Sequence, residues 1–147
     1  DSNPFFFFFF FFFFLLQSDC LSLIKSLKLE STIDVVGWIY DKNEFLNSVD
    51  VICQPSKWEA FGLNFVEAAF FKIPAISTKV EGIPEVVLDR ETGLLYSGGS
   101  KELKDCIVTF INNRDLVSKF GEKARLRALN EFNKQKMIEE YHEIYFS

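Results

Sequence analysis

The segment DVICQPSKWEAFGLNFVEAAFFKIPAIST, residues 50–78, decides the fold. Short apolar runs at its two ends, DVICQPS (50–56) and PAIST (74–78), carry prolines at positions that a strand boundary tolerates and predict two strands. Between them, GLNFVEAAFFK (62–72) is a strong helical run. Strands separated by a helix need a crossover connection, so the segment predicts neighbouring strands of a parallel sheet.

The same alternation continues on both sides. Further strands are predicted at IDVVG (33–37) and GLLY (93–96), and helices at SLIKSLKL (22–29), KNEFLNSV (42–49) and IPEVVLD (83–89). Residues 100–147 differ, because their apolar side chains recur at helical spacing and predict three amphipathic helices that cover the sheet. The three apolar faces are Leu103, Ile107, Val108 and Ile111; Leu116, Phe120, Ala124 and Phe132; and Met137, Ile138, Tyr141, Ile144 and Tyr145. We therefore predict one α/β domain over residues 1–147.

A low-complexity run of ten Phe and two Leu occupies residues 5–16. It is too short to cross a bilayer as a helix, which needs about 20 residues, and it lacks the flanking residues of a signal peptide. A strand buried on both faces reads as a continuous apolar run. We expect a strand within residues 6–13, although identical side chains specify its register poorly.

The overall composition excludes several classes of function. A net charge of −5 and a pI near 4.9 argue against nucleic-acid binding, which needs clustered Lys and Arg. The three cysteines are far apart and fit reduced thiols in a cytosolic protein. His142 is the single histidine, so a metal site is not expected. The chain begins at Asp1 without Met, and we interpret it as a piece of a longer protein.

Two glutamates flank the start of the predicted helix at Gly62. Glycine is a poor helix-interior residue, so Glu59 lies in the preceding loop and Glu67 about one turn inside the helix. No Ser, Thr, Asp or Asn directly precedes the helix to cap its first amides, and Gly62 allows close approach of a ligand. Uncapped amides and the helix dipole make an anion site that suits a phosphate group.

The carboxylates extend this site on both sides. One helical turn rises about 5.4 Å, which places Glu67 within reach of a ribose next to a bound phosphate. Glu59 then faces whatever is attached beyond the phosphates. This reading predicts a sugar nucleotide as the ligand. The alternative is that Glu59 caps the helix or pairs locally and that Glu67 is an exposed helix residue.

The segment PSKWEAFGLNFVEAAFFKIPAISTKVEGIPEVVLDRETGLLY (55–96) resembles the donor-side signature of retaining glycosyltransferases of family 4. VVGWIYDKNEFLNSVDVICQPS (35–56) and the terminal helices extend the likeness over most of the chain. The matching positions are Pro55-Ser56, Glu59 and Glu67, Phe61-Gly62-Leu63, Ala68, Pro74, Gly82-Ile83-Pro84-Glu85 and Thr92-Gly93.

The resemblance implies a Rossmann-like parallel sheet flanked by helices, the C-terminal half of a GT-B enzyme. It implies that Glu67 contacts the nucleotide ribose and that Glu59 is the catalytic-centre residue beside the donor sugar. Backbone amides from Phe61 to Leu63 would bind the diphosphate or sugar, and the base would pack at Gly37 to Ile39. The implied substrate is a UDP- or GDP-sugar, with no cofactor and no metal, since no DxD occurs.

The sequence also departs from the family pattern. We expect this chain to lack the upstream Arg and Lys that bind the diphosphate in the family and the N-terminal acceptor-binding domain. Glu81 stands where a second glycine is common. We expect no turnover from this chain alone. The primary hypothesis is a glycosyltransferase of surface polysaccharide or glycolipid assembly in the cytoplasm, with membrane contact through the full-length protein left open. The alternatives are a non-catalytic nucleotide-sugar-binding fragment or another GT-B enzyme such as a sugar-nucleotide epimerase or a phosphorylase.

Overall fold

The computed structural model describes residues 8–10 and 17–146. Four parallel strands form one sheet in the order β1-β2-β3-β4, and helices connect and cover them. This confirms the predicted α/β class. In chain order the elements are β1 (Phe8–Phe10), α1 (Gln17–Ser26), α2 (Lys42–Asn47), β2 (Val51–Gln54), α3 (Leu63–Phe70), β3 (Ala75–Thr78), α4 (Ile83–Val86), β4 (Gly93–Tyr96), α5 (Ser100–Asn112), α6 (Arg114–Glu131) and α7 (Lys134–Phe146).

β2 shows why the sheet is apolar on both sides. All four of its residues are buried. Ile52 packs in a cluster with Phe65 and Ile83, whereas Val51 and Cys53 point to the opposite face. Because successive side chains of a strand alternate between faces, the part of a strand that helices cover on both sides is apolar on both faces.

The helices cover the two faces separately. The cluster that contains Ile52 also holds side chains of α3 and α4. On the other face, Phe110 of α5 and Phe120 of α6 meet edge to face with ring centroids 5.9 Å apart. α6 also packs against α3 through Ala69, Ala124 and Ala128.

The predicted strand at 33–37 is wrong. Residues 33–39 form no regular secondary structure, and Ile33, Val35 and Val36 are exposed. A strand is stable where a neighbour completes its backbone hydrogen bonds, and none of the described strands pairs with this segment. The strand expected within residues 6–13 is confirmed by β1, while residues 5–7 and 11–16 lie outside the described residues.

The three C-terminal helices are confirmed, but only two of them cover the sheet. α7 has no buried residue among those described, and its predicted apolar face is exposed. In α5 the buried residue is Phe110, while Val108 and Ile111 of the predicted face are exposed. The face of α5 that contacts the core runs through Leu103, Cys106, Ile107 and Phe110. None of the helices in the described ranges is both long and apolar enough to cross a membrane.

Candidate functional site

The carboxyl ends of β2, β3 and β4 define one edge of the sheet, at Gln54, Thr78 and Tyr96. In open parallel sheets ligands bind outside this edge, because the loops that leave the strands there converge. The loop from Pro55 to Gly62 leaves β2 at this edge and leads directly into α3.

The N-terminus of α3 is as the sequence predicts. The helix begins at Leu63, and its cap residue Gly62 has φ 92° and ψ 51° with no side-chain hydrogen bond to the first turn. A Cβ atom at Gly62 would lie 2.7 Å from Cδ2 of Phe65, so both the left-handed backbone and the packing require glycine. The first amides of α3 therefore lack a side-chain cap, which is the property of an anion site.

Glu59 is held by a network that involves Gln54, a residue that the sequence reasoning missed. Gln54 is 7% exposed, and its Nε2 donates to Oε2 of Glu59 at 2.9 Å and to Oγ of Ser56 at 3.1 Å. Its Oε1 accepts from Nδ2 of Asn64 at 3.2 Å. The available signal was a polar residue, Gln54, at the end of an otherwise apolar strand.

Glu67 is half-exposed on the same helix. Its carboxylate forms an ion pair with Nζ of Lys42, the first residue of α2. Asn64 and Glu67 are three positions apart, so they lie on one face of α3. Glu67 therefore belongs to the same part of α3 as Asn64. Glu59 is linked to that part of the helix through Gln54 and Asn64. The sequence reasoning also missed Lys42, because nothing in its local pattern distinguishes it from a solvated lysine.

The remaining predicted site residues differ in their surroundings. Phe61 is half-buried, with its ring 5.6 Å from that of Phe132, so its side chain anchors the loop. Leu63 is 66% exposed. Gly37 and Ile39 lie in the irregular segment before α2. None of the described contacts joins them to the Gly62 turn, whereas Lys42, a few residues later, forms the ion pair with Glu67 of α3.

The turn before α4 supports the loop that carries Glu59. The amide of Gly82 donates to the carbonyl oxygen of Glu59 at 3.2 Å, and a Cβ atom at Gly82 would lie 2.1 Å from the carbonyl oxygen of Ala60. Only glycine allows this approach. Glu81 adopts φ 41°, a conformation that glycine favours, which gives the physical reason why glycine suits this position.

Burial perturbs the titration of two groups on the face of the sheet that α5 covers. Burial, with a smaller effect of Cys106, raises the pKa of Cys53 to about 12. Burial also raises the pKa of Tyr96 to about 12. Both groups are therefore neutral at ordinary pH. Within residues 8–10 and 17–146, no group of three His, Cys, Asp or Glu side chains is arranged to hold a metal ion.

The sequence matches both a protein-family profile and several curated proteins. The profile of "Glycosyl transferases group 1" matches residues 17–127. The chain is 32% identical over 127 residues to N-acetyl-alpha-D-glucosaminyl L-malate synthase of Bacillus anthracis. This match covers 86% of this chain and 33% of that protein. It is 29% identical over 140 residues to the capsular polysaccharide biosynthesis glycosyltransferase CapM of Staphylococcus aureus, covering 85% of this chain and 37% of that protein.

Among solved structures, Anabaena Alr3699/HepE in complex with UDP and glucose has a TM-score of 0.77 and 25% sequence identity. The match covers 86% of this chain and 36% of that one. The chain thus spans about a third of the length of the curated relatives it matches.

Proposed function

The chain belongs to the glycosyl transferases group 1 family, and from this premise we propose that it is the donor-binding domain of a glycosyltransferase that uses a UDP- or GDP-sugar. The proposed enzyme transfers the sugar with retention of anomeric configuration, as in family 4, and acts in surface polysaccharide or glycolipid biosynthesis. Its acceptor is bound by a separate N-terminal domain, and it needs no metal ion or other cofactor.

One observation supports the proposal: the N-terminus of α3 at Gly62 has no side-chain cap, with Glu59 in the loop before it and Glu67 one turn into the helix. Backbone N–H groups and the positive end of the helix dipole attract phosphate oxygens. Carboxylates accept hydrogen bonds from hydroxyls, so they suit the ribose and the sugar on the two sides of a diphosphate.

Each predicted site residue has a role in this proposal. The amides of the Phe61–Leu63 turn bind the diphosphate, and Glu67 accepts hydrogen bonds from the ribose hydroxyls. The base packs against the Gly37–Ile39 segment. Glu59, oriented by the Gln54 amide, binds the donor sugar beside the reacting carbon.

The same geometry favours departure of the nucleotide. When the bond between the sugar and the diphosphate breaks, negative charge grows on the leaving phosphate oxygen. Fixed amides at the α3 N-terminus stabilise this charge without reorganisation. Glu59 is not assigned as a covalent nucleophile.

Calorimetric titration of the chain with UDP, GDP and their glucose and mannose derivatives tests donor binding. Glu67→Ala should weaken nucleotide binding about tenfold or more, since it removes hydrogen bonds to a charged group. Glu122→Ala is the matched control, because Glu122 also forms an exposed ion pair with a lysine, Lys72, on another part of the surface. Absence of binding by all these nucleotides, or equal affinities of the two variants, would contradict the proposal.

Transfer itself is tested in a longer protein that includes the upstream sequence. NMR of the product should show the anomeric configuration of the donor. Glu59→Gln in that protein should lower kcat more than it raises KM, because Glu59 is placed beside the reacting sugar. An inverted product would contradict retention while leaving donor binding intact.

A further inference from the structure

A cavity lies at the same sheet edge, on the side of α5. It has a volume of about 470 Å³ and lies between the loops that follow β2, β3 and β4 and the N-terminus of α5. We propose that this cavity binds a small anionic sugar derivative of the sugar-phosphate class, with the phosphate at the start of α5 and the sugar against hydroxyl side chains. This site is separate from the α3 N-terminus and goes beyond the proposed donor site.

The loop before α5 leaves room for an anion. α5 is 13 residues long, and its cap residue Gly99 makes no side-chain hydrogen bond to the first turn. A Cβ atom at Gly98 or Gly99 would have no heavy atom within 4 Å, so the space beside these residues is open. The first amides of α5 are thus uncapped at the wall of the cavity, where a phosphate gains both hydrogen bonds and the helix dipole.

Tyr96 is the independent observation that points to a ligand. Its side chain lines the cavity although the residue is only 6% exposed, and its hydroxyl makes no hydrogen bond to any described residue. No fully enclosed side-chain oxygen or nitrogen in the described ranges lacks a partner, so this hydroxyl keeps contact with the open cavity. A phenol hydroxyl that reaches the cavity without a protein partner can bond a ligand that enters it.

The charges and size of the cavity define the ligand class. Among the described residues that line it, Lys57 is cationic and none is acidic. The carboxylate of Glu102 lies nearby and accepts a hydrogen bond from the amide of Ser97 at 2.9 Å. This bond holds the loop in place, and the carboxylate does not occupy the amides that follow Ser97. Hydroxyls of Ser56, Tyr96 and Ser100 supply partners for a polyol. The volume is within the range of about 300–1,000 Å³ that is usual for small-molecule sites.

Glycine NMR signals can locate binding directly. The chain contains seven glycines, so a sample labelled with [¹⁵N]glycine gives a simple spectrum in which Gly62, Gly98 and Gly99 can be assigned. Titration with glucose 1-phosphate, and more weakly with inorganic phosphate, should shift the signals of Gly98 and Gly99 and leave Gly62 unchanged. Glucose without phosphate should shift none of the three.

Three variants separate recognition from folding. Tyr96→Phe should weaken glucose 1-phosphate binding about threefold to tenfold, as expected for one hydrogen bond, and Lys57→Ala about threefold, as expected for an exposed charge. Ser100→Asp should weaken it about tenfold or more by placing a negative charge in the first turn of α5. The introduced carboxylate interacts favourably with the helix dipole, so the Tm of this variant should not fall. Tyr40→Phe and Lys104→Ala, two exposed positions that do not line the cavity, should change nothing.

Several results would overturn the inference. These are no shift of Gly98 and Gly99 at millimolar glucose 1-phosphate, a shift of Gly62 alone, an equal response to glucose, or unchanged affinity in all three variants. A parallel titration with UDP and with GDP should shift Gly62 with at least one of the two nucleotides. Failure of that titration would count against the proposed donor site and leave the α5 cavity unaffected.

Discussion

At the scale of single residues, Gln54 organises the candidate donor site. Its amide group uses Nε2 for Glu59 and Ser56 and Oε1 for Asn64. Because the amide is nearly buried and its two ends face different partners, its orientation is fixed. The Glu59 carboxylate is consequently held at the start of α3 and is not free to rotate into solvent.

Gln54→Leu keeps the approximate volume of the side chain but removes these hydrogen bonds. We expect the free energy of unfolding to fall by about 1–2 kcal/mol, because the partially buried Glu59 and Asn64 lose their partner. Urea denaturation followed by circular dichroism measures this change.

Gln135→Leu provides the control for Gln54→Leu. Gln135 also donates to a glutamate, Glu139, at 2.9 Å, but both residues are exposed on α7. Its loss should cost less than about 0.5 kcal/mol. Similar losses in the two variants would show that the Gln54 network is no stronger than a surface contact.

At the scale of secondary-structure elements, β2 and β4 place two neutral ionisable groups on the face that α5 covers. Folding raises the pKa of Cys53 from its ordinary 9.0 to about 12 and that of Tyr96 from 10.0 to about 12. Above these ordinary values the unfolded chain loses protons that the folded chain retains. The stability contributed by the two neutral groups is therefore complete below pH 9 and is lost as the pH rises towards 12.

The free energy of unfolding should therefore decrease between pH 9 and pH 12. One group contributes a slope of at most about 1.4 kcal/mol per pH unit. Urea denaturation at a series of pH values measures the slope. Cys53→Ala should reduce it from pH 9 upward, and Tyr96→Phe only from pH 10 upward. If neither variant changed the slope, the slope would come from groups other than Cys53 and Tyr96.

α7 is the element that contributes least to the described core. It has no buried residue, and its ion pair with the preceding helix, between Lys136 and Glu131, is partly exposed. Ending the chain after Asn133 should lower the free energy of unfolding by less than about 1 kcal/mol. Ending it after Asn113 also removes α6 and uncovers Phe110, so cooperative unfolding should be lost. Equal destabilisation by the two truncations would contradict this assignment.

At the scale of the whole molecule, the chain has the architecture of the C-terminal half of a GT-B glycosyltransferase, as the sequence predicts. It spans about a third of the length of its curated relatives. We propose that the described residues bind the donor and that the acceptor is bound by another domain.

The chain alone should therefore bind a UDP- or GDP-sugar without transferring the sugar. A coupled assay of UDP or GDP release measures turnover, and calorimetry on the same sample measures binding. Release of the nucleotide that depends on an added acceptor would contradict the assignment of the acceptor to another domain. Slow release without an acceptor would indicate hydrolysis of the donor.

Much of this protein could be predicted from local sequence. Short apolar runs predicted β2, β3 and β4, and Gly62 without a neighbouring capping side chain predicted where α3 begins. These features depend on backbone conformation and side-chain burial within a few residues, so a local pattern contains the information. The pairing of Glu67 with Lys42 and the α5 cavity depend on residues far apart in sequence. Gln54 and Glu59 are close in sequence, but their pairing depends on the conformation of the loop that follows β2.

Only the tertiary structure decided which of the predicted strands form and which of the predicted helix faces are buried. Residues 33–37 have the composition of a strand, but a strand needs a partner for its backbone hydrogen bonds and none of the described strands provides one. α7 has an apolar face like that of α6, but burial requires an opposing surface, and α5 and α6 already cover the face of the sheet that is available. Sequence determines which segments can pair or be buried, whereas the spatial neighbours determine which of them do.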